Sequence, residues 1–168
     1  KQQGEDVFPV VTSASKSVVC YDRSDEESVK KTVKLFVEDV ERVTGKRLEL
    51  KEKMPSGKDI ILVGMIGKNK YINQLVAQGR LDISPIKNGW EQYVITIINN
   101  PFAGVGKALV IAGCDRRGTS YGLFSVSEAI GVSPWYWWAD APVARKKELR
   151  LQVNTIVSKE PSVKYRGI

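Results

Sequence analysis

Three groups of residues in this chain have types suited to chemistry. The first is the run Gly113-Cys114-Asp115-Arg116-Arg117-Gly118-Thr119-Ser120-Tyr121-Gly122, which follows an apolar stretch and opens a helical pattern. Backbone N–H groups converge at such a helix start and can hold an anion. Two arginines would add charge-assisted hydrogen bonds. Asp115, Arg116, Arg117 and Gly118 are therefore candidate anion-binding residues. The run has neither a GxGxxG pattern nor a Walker lysine followed by Ser or Thr. The same residues also suit a tight strand-to-helix connection in which Asp115 caps the helix and the glycines allow close backbone packing.

The second group is Trp135, Tyr136, Trp137 and Trp138, which holds three of the four tryptophans of the chain. Successive residues cannot all face one core in a regular element. Some of these rings must therefore point elsewhere, either onto a sugar or into a neighbouring domain. The third group is the carboxylates. Glycoside hydrolysis usually needs two of them, about 5 to 9.5 Å apart. Asp115, Glu128, Asp140 and Glu160 qualify by type, but their spacing pairs no two of them. No catalytic residue is assigned.

Other chemistries are excluded by composition. The chain has no histidine, so neither a Ser-His-Asp system nor a His-ligated metal site can form within it. Its two cysteines, Cys20 and Cys114, form no CxxC pair and lie in or beside apolar runs. Both suit small buried thiols, with a disulfide as the alternative. No metal or cofactor is implied. The net charge of +7 is spread along the chain. A basic balance admits anionic partners, but no basic-aromatic stripe points to nucleic acid. No apolar run approaches the roughly 20 residues of a membrane span.

The elements that must position these groups follow from periodicity. Ser17 to Tyr21 reads as a buried strand. The next helix has Ser24 or Asp25 as its cap, and Val29, Val33, Phe36, Val37, Val40 and Val43 as its apolar face. Gly45 stands at its C-terminal stop. Leu48 to Glu52 alternates as a half-exposed strand, and Ile60 to Val63 reads as a central one. A second helix covers Asn69 to Gln78. Trp90 to Ile98 and Ala108 to Ala112 make an antiparallel hairpin. A third helix runs from Arg116 to Ile130, between Asp115 and Gly131. Glu148 to Val157 reads as one long strand. A hairpin inside an otherwise alternating pattern predicts an α/β (α+β) fold, a mixed β-sheet with helices packed on it. Residues 1–157 form one domain on this reading, and 158–168 lead out of it.

The stretch from Gly113 to Asp140, ending Ser-Pro-Trp-Tyr-Trp-Trp-Ala-Asp, resembles glycoside hydrolase family 115, the xylan α-1,2-glucuronidases. So does Ser158-Lys-Glu-Pro-Ser-Val-Lys-Tyr-Arg-Gly-Ile168. The resemblance implies a non-catalytic N-terminal domain like the one that precedes the barrel in β-hexosaminidases and family 67 α-glucuronidases. It implies that 158–168 lead into the first strand of a (β/α)8 barrel, which would be the partner of this domain in the same full-length chain. Barrel active sites lie at the C-terminal ends of the strands, so the acid and base are expected beyond Ile168. The implied activity is inverting removal of glucuronic acid, or its 4-O-methyl ether, from glucuronoxylan. The implied location is periplasmic or extracellular, with a signal peptide removed.

Two rival readings come from other classes: a stand-alone carbohydrate-binding module using the same aromatics, and an anion- or nucleotide-binding α/β domain using Asp115 to Gly118. On the family reading, Trp135 to Trp138 form the surface that docks on the barrel. Trp137→Ala with Trp138→Ala in the full-length enzyme is then expected to lower thermal stability or activity. A double variant with both unchanged would rule the docking role out.

Overall fold

A computed structural model of the chain describes residues 7–130 and 148–158. In chain order the elements are β1 (Val7–Val11), β2 (Val18–Cys20), α1 (Glu27–Thr44), β3 (Glu49–Lys51), β4 (Ile60–Met65), α2 (Lys70–Ala77), β5 (Tyr93–Asn99), β6 (Lys107–Gly113), α3 (Arg116–Ala129), β7 (Leu149–Gln152) and β8 (Ile156–Val157). The expected aromatic run at 135–138 and the Gly131 stop lie outside the described residues.

Strands rich in Ile, Val and Leu on both faces must be covered on both faces. β4 and β6 meet that condition. Ile61, Val63, Leu109 and Ile111 point into one apolar cluster, while Ile60, Leu62, Ala108 and Val110 point into the other. The two strands pair in parallel from Ile60–Ala108 to Met65–Gly113 and form the centre of a six-stranded sheet of order β3-β2-β4-β6-β5-β8. β2 runs parallel to both β3 and β4. β5 is antiparallel to β6 and to β8. The mixed sheet expected from the sequence is the one observed.

α1 covers the first face. Val29, Val33, Phe36, Val37, Val40 and Val43 are all buried in that cluster, as their spacing predicts. Gly45 ends the helix at φ 77° with its N–H on the Glu41 carbonyl at 2.7 Å. α3 lies beside α1 on this face, where the hydroxyls of Thr32 and Ser120 meet at 3.1 Å. α2 covers the other face through Ile72 and Leu75, helped by Leu81, Ile86 and Val105 from irregular segments.

Four local expectations are corrected. The N-cap of α1 is Glu26, with no side-chain cap bond. Ser24 and Asp25 do not cap it because their side chains bond elsewhere, Ser24 to Asp22 and to the Lys68 carbonyl, and Asp25 to the groups described below. β5 begins at Tyr93 rather than Trp90, because Glu91 takes φ 55° and leaves the ladder. Glu148 to Val157 is not one strand. β7 pairs with β1 as a separate two-stranded ribbon, and β8 joins the sheet edge beside β5; two different partners break the run between them. β1 itself was not anticipated. Phe8, Val10 and Val11 in it are buried against the α1 face.

Phe36 is among the largest fully buried side chains. Phe36→Ala is expected to cost about 3–5 kcal/mol, read as a lower midpoint in urea at unchanged slope. A midpoint equal to wild type would show that this helix face is not core.

Candidate functional site

In a sheet with parallel strands, ligands usually bind outside the carboxyl ends of those strands. Three turns meet there: 21–26 after β2, 66–69 after β4, and 114–115 after β6. Each is tightly bound within the protein.

The turn after β6 holds the expected anion-site residues. Asp115 caps α3, its Oδ1 accepting the Gly118 N–H at 2.7 Å. Its Oδ2 accepts the Glu91 N–H at 2.9 Å. A Cβ on Gly118 would stand 2.1 Å from the Gln92 carbonyl oxygen, and one on Gly113 would stand 2.2 Å from the Thr119 nitrogen. These glycines are therefore required by close backbone approach. Arg117 Nη1 lies 3.1 Å from Glu91 Oε2, with Arg117 65% and Glu91 6% exposed. Arg116 is exposed. The segment thus brings Asp115 and Gly118 together as cap and capped amide, and sets Arg117 on Glu91 of the neighbouring turn. The same geometry fits the tight strand-to-helix connection that the sequence also allowed.

The other two turns are joined by a network that local sequence reasoning missed. Asp25 Oδ2 accepts from the Asp22 N–H at 2.9 Å and from Asn69 Nδ2 at 3.0 Å. Its Oδ1 accepts from the Met65 N–H at 3.3 Å. Asn69 is fully buried. Its Nδ2 also donates to the Val63 carbonyl, while its Oδ1 caps α2 at the Tyr71 and Ile72 N–H groups. Asp22 Oδ2 accepts from the Ser24 hydroxyl at 2.8 Å and the Lys70 N–H at 2.9 Å. Asn69, expected as the first residue of the second helix, is its N-cap instead. Its bond to Asp25, 44 residues away, leaves no local trace.

The two carboxyls titrate in opposite directions. Burial pushes Asp25 above the usual carboxylate value, more than its three N–H donors pull it down. Burial also acts upward on Asp22, but hydrogen bonds from the Lys70 amide and the Ser24 hydroxyl outweigh it, and the net shift is downward. Between these turns and β3 lies a cleft of about 430 Å³, lined by Asp22, Arg23, Ser24, Glu52, Lys53 and Lys70. The carboxylate contacts in it are structural, since they tie β2, β4 and α2 together. Cys20 lies at the same end of β2, its thiol pushed up to about 12 chiefly by burial, with Asp22 adding to the effect. Such a thiol is not a nucleophile near neutral pH. Cys20 and Cys114 form no disulfide with each other. Of the four carboxylates singled out by type, Asp115 is a cap, Glu128 is exposed on α3, and Asp140 and Glu160 lie outside the described residues. Among the described residues no cluster of three or more His, Cys, Asp or Glu could hold a metal ion.

A solved glycoside hydrolase contains a similar arrangement. BtGH115A, described as a novel family GH115 4-O-methyl-alpha-glucuronidase with specificity for decorated arabinogalactans, matches 95% of this chain at 29% identity and a TM-score of 0.72. This chain resembles a GH115 N-terminal domain. The match runs well past the stretches 113–140 and 158–168 that carry the resemblance in the sequence. The structure of CpGH84D matches 81% of the chain at 13% identity and a TM-score of 0.50, and shares the fold alone. The chain spans about a fifth of each of these proteins, 19% and 20%. No family model and no curated protein matches it. No helix among the described residues is long and apolar enough to cross a membrane.

Asp25→Asn tests the network. An amide offers one acceptor oxygen where the carboxylate serves three donors, so the variant should lose about 1–3 kcal/mol at pH 7 in chemical denaturation. The folded pKa of Asp25 lies above its ordinary value of 3.8, so the folded state holds this proton more tightly. The contribution of the group is full at low pH and is lost as pH rises through the folded value. The excess stability of wild type over the variant should therefore grow on acidification toward 3.8. A constant difference would mean that Asp25 titrates normally.

Proposed function

We propose that the chain is a non-catalytic N-terminal domain of a glycoside hydrolase. Its parent removes glucuronic acid, or the 4-O-methyl ether, from a plant polysaccharide. The single observation that carries this reading is the match to a GH115 enzyme over 95% of the chain at 29% identity. Residues 1–157 are assigned to the domain, and 158–168 to the lead into a (β/α)8 barrel in the same parent chain. That barrel is the partner, with Trp135 to Trp138 as the docking surface. The chemistry assigned to the parent is a single displacement. One carboxylic acid protonates the leaving oxygen, and a second carboxylate activates water on the opposite face of the sugar. Both would belong to the barrel, since the described carboxylates of this domain serve as caps, latches and surface charge. No cofactor is assigned. A polysaccharide-degrading parent works where the polymer is, in the periplasm or outside the cell.

The polymer has two readings. Glucuronoxylan is the substrate that the family resemblance implies. A decorated arabinogalactan is favoured by the specificity of BtGH115A, the solved relative that matches the chain. Both present a terminal glucuronic acid to an exo-acting site.

The test compares this 168-residue chain with a version extended through the domains that follow, on both polymers, with released glucuronic acid as the readout. Release by the longer version alone is expected, and the preferred polymer decides the substrate. Release by the short chain would overturn the non-catalytic assignment, and release by neither would overturn the activity assigned to the parent.

A further inference from the structure

The amino end of the parallel strands is built differently from the carboxyl end. A hollow of about 570 Å³ lies there between the turn after β1, the C-terminal end of α1 and the segment before β4. Lys16, Lys46, Arg47 and Lys58 line it together with the hydroxyl-bearing Thr12, Ser13 and Ser15. No carboxylate is in its described lining, and Glu148 touches that lining where its Oε2 accepts the Ser13 N–H at 2.9 Å. A second hollow of about 270 Å³ shares Ser15, Lys16 and Lys58 with the first. It continues over a glycine floor at Gly57, Gly104 and Gly106. Its one carboxylate, Asp59, accepts the Lys107 N–H at 3.1 Å. The two hollows form one trench of a size that suits a small oligosaccharide.

The cations are placed rather than scattered. Lys16 Nζ donates to the Arg47 carbonyl at 3.0 Å and Lys46 Nζ to the Thr12 carbonyl at 3.4 Å. An ammonium has three donors, so each keeps others for a ligand. Arg47 also pairs with Glu41 at 2.8 Å. Lys16, Arg47 and Lys58 are exposed. Favourable interaction with the negative end of the α1 dipole accounts for Lys46 and Arg47, which follow that helix. It does not account for Lys16 and Lys58, which reach the same hollow from separate segments of chain.

We propose that this trench binds a uronate-bearing stretch of polysaccharide, with sugar carboxylates on the lysine and arginine groups and sugar hydroxyls on Thr12, Ser13 and Ser15. The inference rests on the reading of the parent as a glucuronic-acid-releasing enzyme, and names a polymer-holding surface on this domain itself. Single-stranded nucleic acid is the other polyanion that a basic groove could take. It binds through aromatic stacking platforms, and the described lining of the two hollows includes no aromatic residue.

Affinity gel electrophoresis of the 168-residue chain tests the trench without any catalytic step. Retardation is expected in glucuronoxylan and not in the same polymer after carboxyl reduction. Lys16→Gln with Lys58→Gln should weaken binding about fivefold or more, as two exposed ion pairs are lost. Lys31→Gln with Lys34→Gln, exposed on α1, removes the same charge elsewhere and should leave binding unchanged. Because Lys16 also braces the Arg47 carbonyl, Lys58→Glu alone is the second variant, and unchanged melting with weakened retardation is expected of it. Equal weakening by the α1 control, equal retardation in the reduced polymer, or tighter binding to single-stranded RNA would each overturn the trench. A failure of the parent's activity would appear separately, as no glucuronic acid released by the extended chain.

Discussion

The structure depends on one constraint: β4 and β6 are buried on both faces. Their backbone N–H and C=O groups have no access to water along their length and must be satisfied by the parallel ladder between them and by their outer neighbours. Helices and ribbons must therefore cover both sides, α1, α3 and the β1–β7 ribbon on one and α2 with the loops around Leu81, Ile86 and Val105 on the other. The chain has to leave each central strand sharply and return over a face. At the end of β4 the turn is so close that a Cβ on Gly64 would stand 2.3 Å from Asn69. At the end of β6, Gly113 meets Thr119 in the same way. The turns at the carboxyl end of the sheet are held by these contacts and by the Asp25–Asn69 bond, and the carboxylates of Asp22 and Asp25 there are already engaged by the protein's own donors.

The elements were legible where a period decides them. The α1 face from Val29 to Val43, the apolar block of β4 and the Asp115 cap all follow from local patterns that tertiary packing then respects. What failed was set by distant partners. Asp25 is as good a cap by type as Asp115. It serves instead as an acceptor for Met65 and Asn69, contacts that exist only once β2 and β4 lie side by side. The segment 149–157 alternates well enough for one strand, but β1 claims its first half and β5 its second. β1 is five residues long and interrupted by Pro9, so its period is too short to stand out.

The candidate sites divide along the same line. Asp115 to Gly118 could be found in the sequence because a strand, a glycine and a helix start are contiguous there, and their local geometry is a cap. The basic trench could not be found that way. Its cations sit at positions 16, 46, 47 and 58 and look like diffuse charge along the chain. Only the parallel register of β2 with β4, which places Val18 beside Ile60, carries Lys16 and Lys58 to the same end of the sheet.

A fold of this kind does not by itself specify a function. It persists at 13% identity in CpGH84D and at 29% in a GH115 enzyme, so its conserved demand is for covered central strands, which many sequences meet. What distinguishes one such domain from another must lie in positions that the core leaves undetermined. In this chain the carboxyl-end turns are not among them, because glycines and buried carboxylates there are held by backbone contacts. The amino-end turns are. Thr12 to Lys16, Lys46 to Arg47 and Gly57 to Lys58 connect elements whose core contacts are made by other residues. Of the four cations in the described lining of that hollow, Lys46 and Arg47 answer to the end of α1, whereas Lys16 and Lys58 have no such cause in the fold, and the polyanion they suit is the physical question this domain poses.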